Sequence, residues 1–386
     1  MSIQQDLPPI YAQLSAEQLV TRIAARKSEL GADLCILGHH YQRDEIIQFA
    51  DFIGDSLKLS RQAASQQRAR FIVFCGVHFM AESADILSAP QQAVLLPNMR
   101  AGCAMAAMAE EPAVAEAMEE LSAAVAQAFQ PVDSHSLERL CHQARIVPIT
   151  YVNSTAAIKA LTGRCGGACC TSSNVRSVFE WALRPAAQGG AGADKILAIP
   201  DQHLAANTAA ALGFGPDACA VYDPLKPSGG LDTAAVRRAT FILWKGACYV
   251  HQLFRAQHIK DVRAAHPGIR VIVHPECRRE VVELADEAGS TERIIKAVTA
   301  APGGSAWAIG TESNLVNRMA QRRQDCFIRT LAPAAAMCVQ MAQIDLPHLL
   351  WILDGLAQGE LRNRVTVDPA IAADARVALQ RMITIT

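Results

Sequence analysis

Within four residues, His274-Pro275-Glu276-Cys277 offers an imidazole, a carboxylate and a thiol. These groups hold metals and move protons. A metal site at this tip is the first expectation. Two other stretches carry comparable chemistry: His39-His40-Tyr41 and Tyr151-Val152-Asn153. The chain also has twelve cysteines. It contains no C-x-x-C pair, which argues against zinc ribbons and ferredoxin-type runs. Cys165, Cys169 and Cys170 crowd into R-C-G-G-A-C-C. Taken alone, that crowding would be the obvious place for a metal.

The elements around these groups are strand, polar tip and helix. Val271–Val273 is a β-branched run that suits a buried strand, and from Arg278 the apolar Val281, Val282 and Leu284 fall among charges as on an amphipathic helix. L-C-I-L-G before His39, F-I-V-F over Phe71–Phe74 and I-V-P-I-T before Tyr151 read the same way. So do K-I-L-A-I-P before Asp201 and A-W-A-I-G before Thr311. Ligands bind at such tips, at the carboxyl ends of parallel strands. Ser15 is the expected N-cap of an N-terminal helix with Leu19, Ile23 and Leu30 on one face. Residues 107–146 read as helical, and Asn363–Thr386 as a strand and helix packed back onto the body.

The units repeat. Two strand–tip–helix units and then a short apolar segment ending in a cysteine occur three times, closing near Cys103, Cys248 and Cys338. His39 lies as far from Cys103 as His274 lies from Cys338. The middle copy is longer, and its glycine-rich Thr162–Ala168 reads as extra material. Alternating strands and helices predict parallel sheets. The expected fold is α/β: three similar α/β/α sandwich domains related by pseudo-threefold symmetry. The expected domains are 1–120, with 356–386 packed back on it, then 121–262 and 263–355. Such symmetry would bring the three repeat-related cysteines together. Three thiolates are too few for a closed structural zinc, which takes four ligands. They suit a [4Fe-4S] cluster with one iron left open. They would equally suit three small buried hydrophobes, and spacing alone leaves both open.

Composition narrows the class. A formal net charge of −1 gives no electrostatic case for nucleic acid or an anionic membrane. No apolar run reaches the roughly 18 residues of a membrane span. The start, M-S-I-Q-Q-D-L-P-P-I, has acid and proline where a signal peptide would be basic and then apolar. A cytoplasmic protein is expected, with its cysteines reduced rather than bridged.

An ordered set of motifs resembles the quinolinate synthase family, the iron–sulfur enzymes of de novo NAD biosynthesis. The set includes G-H-H-Y-Q, D-F-I-G-D-S-L-K-L-S, F-M-A-E-S-A, P-N-M-R-A-G-C, Y-V-N-S-T-A-A-I-K-A and C-T-S-S-N. It continues with W-K-G-A-C-Y-V-H, H-P-E-C, A-G-S-T-E-R-I-I, G-T-E-S-N-L-V-N-R and the M-C-x-x-M around Cys338. It covers roughly residues 28–386. The resemblance implies three α/β domains around a central cluster, held by Cys103, Cys248 and Cys338. It implies condensation of iminoaspartate with dihydroxyacetone phosphate to quinolinate, with loss of phosphate and water. A transient contact with an L-aspartate oxidase would supply the unstable imine.

The resemblance also implies site positions. Glu276 is expected as the main acid–base, Tyr41 and Tyr151 in proton transfer and orientation, and His39 and His274 on substrate carboxylate or phosphate. Ser56, Asn153, Ser172, Ser290 and Thr291 are expected to bind substrate, and Met80 to wall the pocket. His251, close after Cys248, reads first as a core histidine and otherwise as a group supporting that ligand, and Cys277 reads as simply buried. Against this stand an iron or redox sensor, which would need a fourth protein ligand, and a hydro-lyase of the aconitase type. The latter would dehydrate a hydroxy acid with no second substrate.

Overall fold

The structure, a computed structural model, describes residues 6–125 and 137–385. Three separate sheets carry the chain. The first holds β1 (Leu34–His39), β2 (Phe52–Gly54), β3 (Phe71–Cys75) and β4 (Ala93–Leu95). The second holds β5 (Ile146–Tyr151), β6 (Ala168–Cys170), β7 (Lys195–Ile199), β8 (Cys219–Tyr222) and β9 (Phe241–Trp244). The third holds β10 (Arg270–Val273), β11 (Glu287–Ala288), β12 (Ala306–Gly310) and β13 (Phe327–Thr330). One further strand, β14 (Arg364–Val365), returns antiparallel to β4.

The strand orders are β2-β1-β3-β4, β6-β5-β7-β9 and β11-β10-β12-β13, with β8 added beyond β9 and β14 beyond β4. Apart from β14, every pairing is parallel. The three sheets therefore share one topology, as the repeat predicted. Parallel strands need crossovers, and helices on both faces supply them. The third sheet shows this with period two. Val271 and Val273 enter one apolar cluster, and Ile272 between them enters another. All residues of β1, β5 and β7 are buried. That is why these strands read as continuous apolar runs rather than alternating ones.

The structure corrects several expectations. The short strands β2, β6 and β11 were not foreseen, because two or three residues are too few to show a period. Thr162–Ala168 is only in part an insertion. Its last residue begins β6, the counterpart of β2 and β11, and the material special to the middle copy is β8 and its flanking turns. The glycines there serve close packing. A Cβ on Gly167 would lie 1.8 Å from the Pro148 carbonyl oxygen, and one on Gly163 2.1 Å from that of Asp374 in the C-terminal helix Pro369–Thr384. Cys103, Cys248 and Cys338 stand in loops beyond the ends of β4, β9 and β13, not at the strand ends.

The expected cuts after 120, 262 and 355 each fall inside a helix: Glu111–Val125, Ala256–Ala265 and Leu346–Ala357. A helix belongs with the apolar surface it covers. Val114 and Met118 pack with Ile146 and Leu197 of the second sheet. Ile259 and Val262 pack with Val271 of the third. Leu349 and Leu350 pack with Ile36 and Val73 of the first. The C-terminal helix Pro369–Thr384, expected on the first domain, packs most extensively against Ala156–Arg164 and β6 of the second. Ser15 caps its helix as expected, in a reciprocal capping box with Gln18.

Candidate active site

One cavity is lined by residues beyond the carboxyl ends of strands in all three sheets. The tips of the three central strands supply equivalent pairs, each two residues apart: His39 and Tyr41 after β1, Tyr151 and Asn153 after β5, His274 and Glu276 after β10. All six line the cavity. The short neighbouring strands β2, β6 and β11 end just before Ser56, Ser172 and Thr291, which line it too, with Met80 forming part of the wall. Ser290 is the exception. It is buried but does not line the cavity, and its hydroxyl is spent as the N-cap of Thr291–Thr299, accepting the Arg293 N–H at 3.3 Å.

The two tip histidines are held alike. His39 Nδ1 accepts the Tyr41 backbone N–H at 3.2 Å, and His274 Nδ1 accepts that of Glu276 at 3.3 Å. A backbone N–H can only donate, so each ring carries its proton on Nε2. Burial lowers both rings to about 3, so both are neutral near pH 7. His274 Nε2 then donates to Ser172 Oγ at 3.1 Å.

Glu276 is 2 % exposed. Burial alone would raise its carboxyl. The adjoining His251 imidazole and a hydrogen bond from Tyr151 outweigh that and hold it below the usual carboxylate range. Its Oε2 forms a close ion pair with His251 Nδ1, and its Oε1 has no hydrogen-bond partner. The Asn153 Oδ1 is likewise buried and unpartnered. Unpartnered buried acceptors cost free energy unless something fills the site. The Tyr41 hydroxyl lies 3.0 Å from Thr291 Oγ1 and 2.9 Å from Thr311 Oγ1. Burial pushes the Tyr41 and Tyr151 phenols well above their ordinary value, so both stay protonated.

His251 was read as a core histidine, and the structure corrects this. Its ring stacks on His274 at 4.3 Å, its Nε2 lies 3.2 Å from Thr311 Oγ1, and it lines the cavity. Its place three residues after Cys248, on the single turn His251–Leu253, was the available signal. Thr311 was missed as well, although it directly follows β12.

Cys103, Cys248 and Cys338 line the same cavity, one from each sheet's last loop, and none is in a disulfide. Burial raises all three thiols, Cys103 to about 12, and neighbouring negative charge raises them further: Cys338 acts on Cys103, and Glu276 and Cys103 on Cys248. Three soft donors crowded in a buried site, disfavoured as bare thiolates, fit a cationic iron–sulfur group. A competing donor set exists, since ligand atoms of Cys248, His251 and Glu276 lie within 4.8 Å of one another. That set would break the His251–Glu276 ion pair and leave Cys103 and Cys338 unexplained. Three thiols are therefore the better fit. The crowded Cys165, Cys169 and Cys170 are buried away from the cavity, the last two as part of β6. Cys277 turns its thiol to the Gly310 carbonyl at 3.7 Å.

Comparison with known proteins adds the following. A family profile described as quinolinate synthetase A protein matches residues 21–384. A quinolinate synthase of Streptomyces coelicolor is 49 % identical over 375 residues, covering 96 % of this chain and 89 % of that protein. One of a Nocardioides species is 48 % identical over 382 residues, covering 98 % and 91 %. One of Anoxybacillus flavithermus is 47 % identical over 383 residues, covering 99 % and 98 %.

Proposed function

The chain belongs to the quinolinate synthase family, and from that premise we propose that it condenses iminoaspartate with dihydroxyacetone phosphate. Quinolinate forms with loss of phosphate and water, a transferase reaction. The observation that carries this reading is that three cysteines, one from the last loop of each sheet, and three equivalent polar tips line one cavity. We assign Cys103, Cys248 and Cys338 as ligands of a [4Fe-4S] cluster with one iron open. When bound, that iron supplies Lewis acidity toward a substrate oxygen or carboxylate.

The remaining work falls to side chains. Both substrates are anionic. Helices Ser56–Ser65 and Thr291–Thr299 begin at the cavity and present backbone amides to a phosphate or carboxylate. His39 brings an Nε2–H, and Ser172, which receives the His274 proton, can donate its own hydroxyl hydrogen inward. Imine formation, isomerisation and dehydration each move a proton. Glu276 is ionised and has a free oxygen, so it can receive one, and its partner His251 can hold one. Tyr41 and Tyr151 are protonated donors beside them. Asn153 orients substrate, and Met80 keeps water from one wall.

We also propose a cytoplasmic location, because all twelve cysteines are unpaired and unpaired thiols persist in reducing compartments. Among the described residues no helix is long and apolar enough to cross a membrane. Transfer of the unstable imine from an L-aspartate oxidase belongs to the same reading. The test is oxygen-free purification followed by addition of both substrates, with quinolinate measured by chromatography. Product should appear only when both are present. Intact-cluster protein that makes none overturns the proposal, and dehydration of a hydroxy acid without a second substrate would favour a hydro-lyase.

A further inference from the structure

The three sheets share one more position that the mechanism leaves unused. β3, β7 and β12 end at Cys75, Ile199 and Gly310. Two residues further on stand Val77, Asp201 and Glu312, the N-caps of His78–Leu87, Gln202–Ala211 and Ser313–Arg322. The first is apolar. The other two are carboxylates, 3 % and 0 % exposed.

Only the first of these carboxylates does two things at once. Asp201 Oδ1 caps its helix by accepting the Leu204 N–H at 2.7 Å, and its Oδ2 accepts the backbone N–H of Cys248 at 3.2 Å. Glu312 caps its helix by accepting the Asn314 and Leu315 N–H groups at 2.7 and 3.3 Å. The loop before Cys338 is tied to that helix by Ser313 instead, whose Oγ accepts the Ala336 N–H at 2.7 Å and whose N–H donates to the Ala336 carbonyl at 3.0 Å. The Cys103 loop is anchored without a carboxylate at this position: the Ala101 carbonyl accepts the His78 N–H at 2.8 Å, and Asn98 Oδ1 accepts the Arg100 N–H at 3.0 Å.

We infer that Asp201 is a positioning residue for the cluster. It ties the backbone of the Cys248 loop to the start of the helix Gln202–Ala211 in its own sheet, and so sets where Cys248 presents its thiol. The inference rests on the reading of the three cysteines as cluster ligands. Groups that orient ligands in this way are worth about 10- to 100-fold in metal affinity.

The discriminating variant is Asp201→Ser. It keeps a favoured N-cap but is too short to reach the cysteine loop. Asp201→Asn keeps the length and one acceptor oxygen. Wild type and variants are loaded with iron and sulfide without oxygen. Iron per chain, the electron paramagnetic resonance spectrum of the reduced cluster and the rate of iron loss to a chelator are then measured. Thermal unfolding of the cluster-free forms serves as the folding control. Iron loss should speed up about 10- to 100-fold in Asp201→Ser, with an intermediate rate in Asp201→Asn and near-wild-type unfolding of the cluster-free protein. Iron loss at the wild-type rate in Asp201→Ser overturns the inference. Should that variant fail to fold, a wild-type rate in Asp201→Asn together with an unchanged spectrum overturns it as well. A wild-type protein that takes up no [4Fe-4S] cluster overturns the ligand reading itself, and the positioning role with it.

Discussion

His39 and His274 are bound by the same local device, Nδ1 to the backbone N–H two residues on, at 3.2 and 3.3 Å, although they stand in different sheets. The device fixes each tautomer, and burial keeps each ring neutral, at about 3. It also carries a pH consequence. The unfolded rings take up a proton near the ordinary value of 6.5, while the folded ones resist it. Between those limits the unfolded chain binds more protons, so stability is full above about 6.5 and is lost as pH falls toward the folded value. The slope is about 1.4 kcal/mol per pH unit for each ring well inside the window. Denaturant titrations of the cluster-free protein at pH 7 and near pH 5 should show this loss, and His39→Asn should show less of it. A wild-type midpoint unchanged between those pH values would contradict the assignment.

Glu276→Gln should keep the cluster and lose the reaction. Glu276 is spent on His251 and on the cavity rather than on iron, so absorbance and iron content should match wild type. Removal of an acid–base group typically lowers the rate about 10²- to 10⁴-fold. Single-turnover formation of quinolinate reads the loss. A colourless Glu276→Gln protein would instead make Glu276 part of the metal site.

The cysteines divide into two sets by geometry. Cys103→Ser, Cys248→Ser and Cys338→Ser should each lose the brown colour and the iron. Cys169→Ala, Cys170→Ala and Cys277→Ala should keep both, because those thiols are buried away from the cavity. Iron analysis of the six proteins checks this, and retained iron in the first three would refute the ligand set.

Gly167→Ala tests the seating of β6. The new methyl would meet the Pro148 carbonyl at 1.8 Å, so backbone must move, at a cost of about 3 kcal/mol or more. Gly215→Ala, with nothing within 4 Å, should change stability by less than about 0.5 kcal/mol. Equal unfolding temperatures for the two variants would show that β6 yields freely.

Much of this molecule was legible in the residue order. The long buried strands announced themselves as apolar runs, because a parallel strand covered on both faces leaves no polar alternation to confuse the signal. The spacing of the cysteines disclosed the threefold repeat, and the tips His39–Tyr41, Tyr151–Asn153 and His274–Glu276 followed from where those strands had to stop. Other features depended on contacts between residues far apart in sequence. β2, β6 and β11 are too short to carry a pattern and exist because the neighbouring strand offers its edge. His251 looked like core until folding stacked it on His274 and paired it with Glu276. Cys169 and Cys170, which the repeat had already set aside as ligands, are placed by β6 in the buried sheet. Local propensity and periodicity act over a few residues and so can be read along the chain. Which groups share a cavity is set by how three sheets pack, and only the tertiary structure decided that.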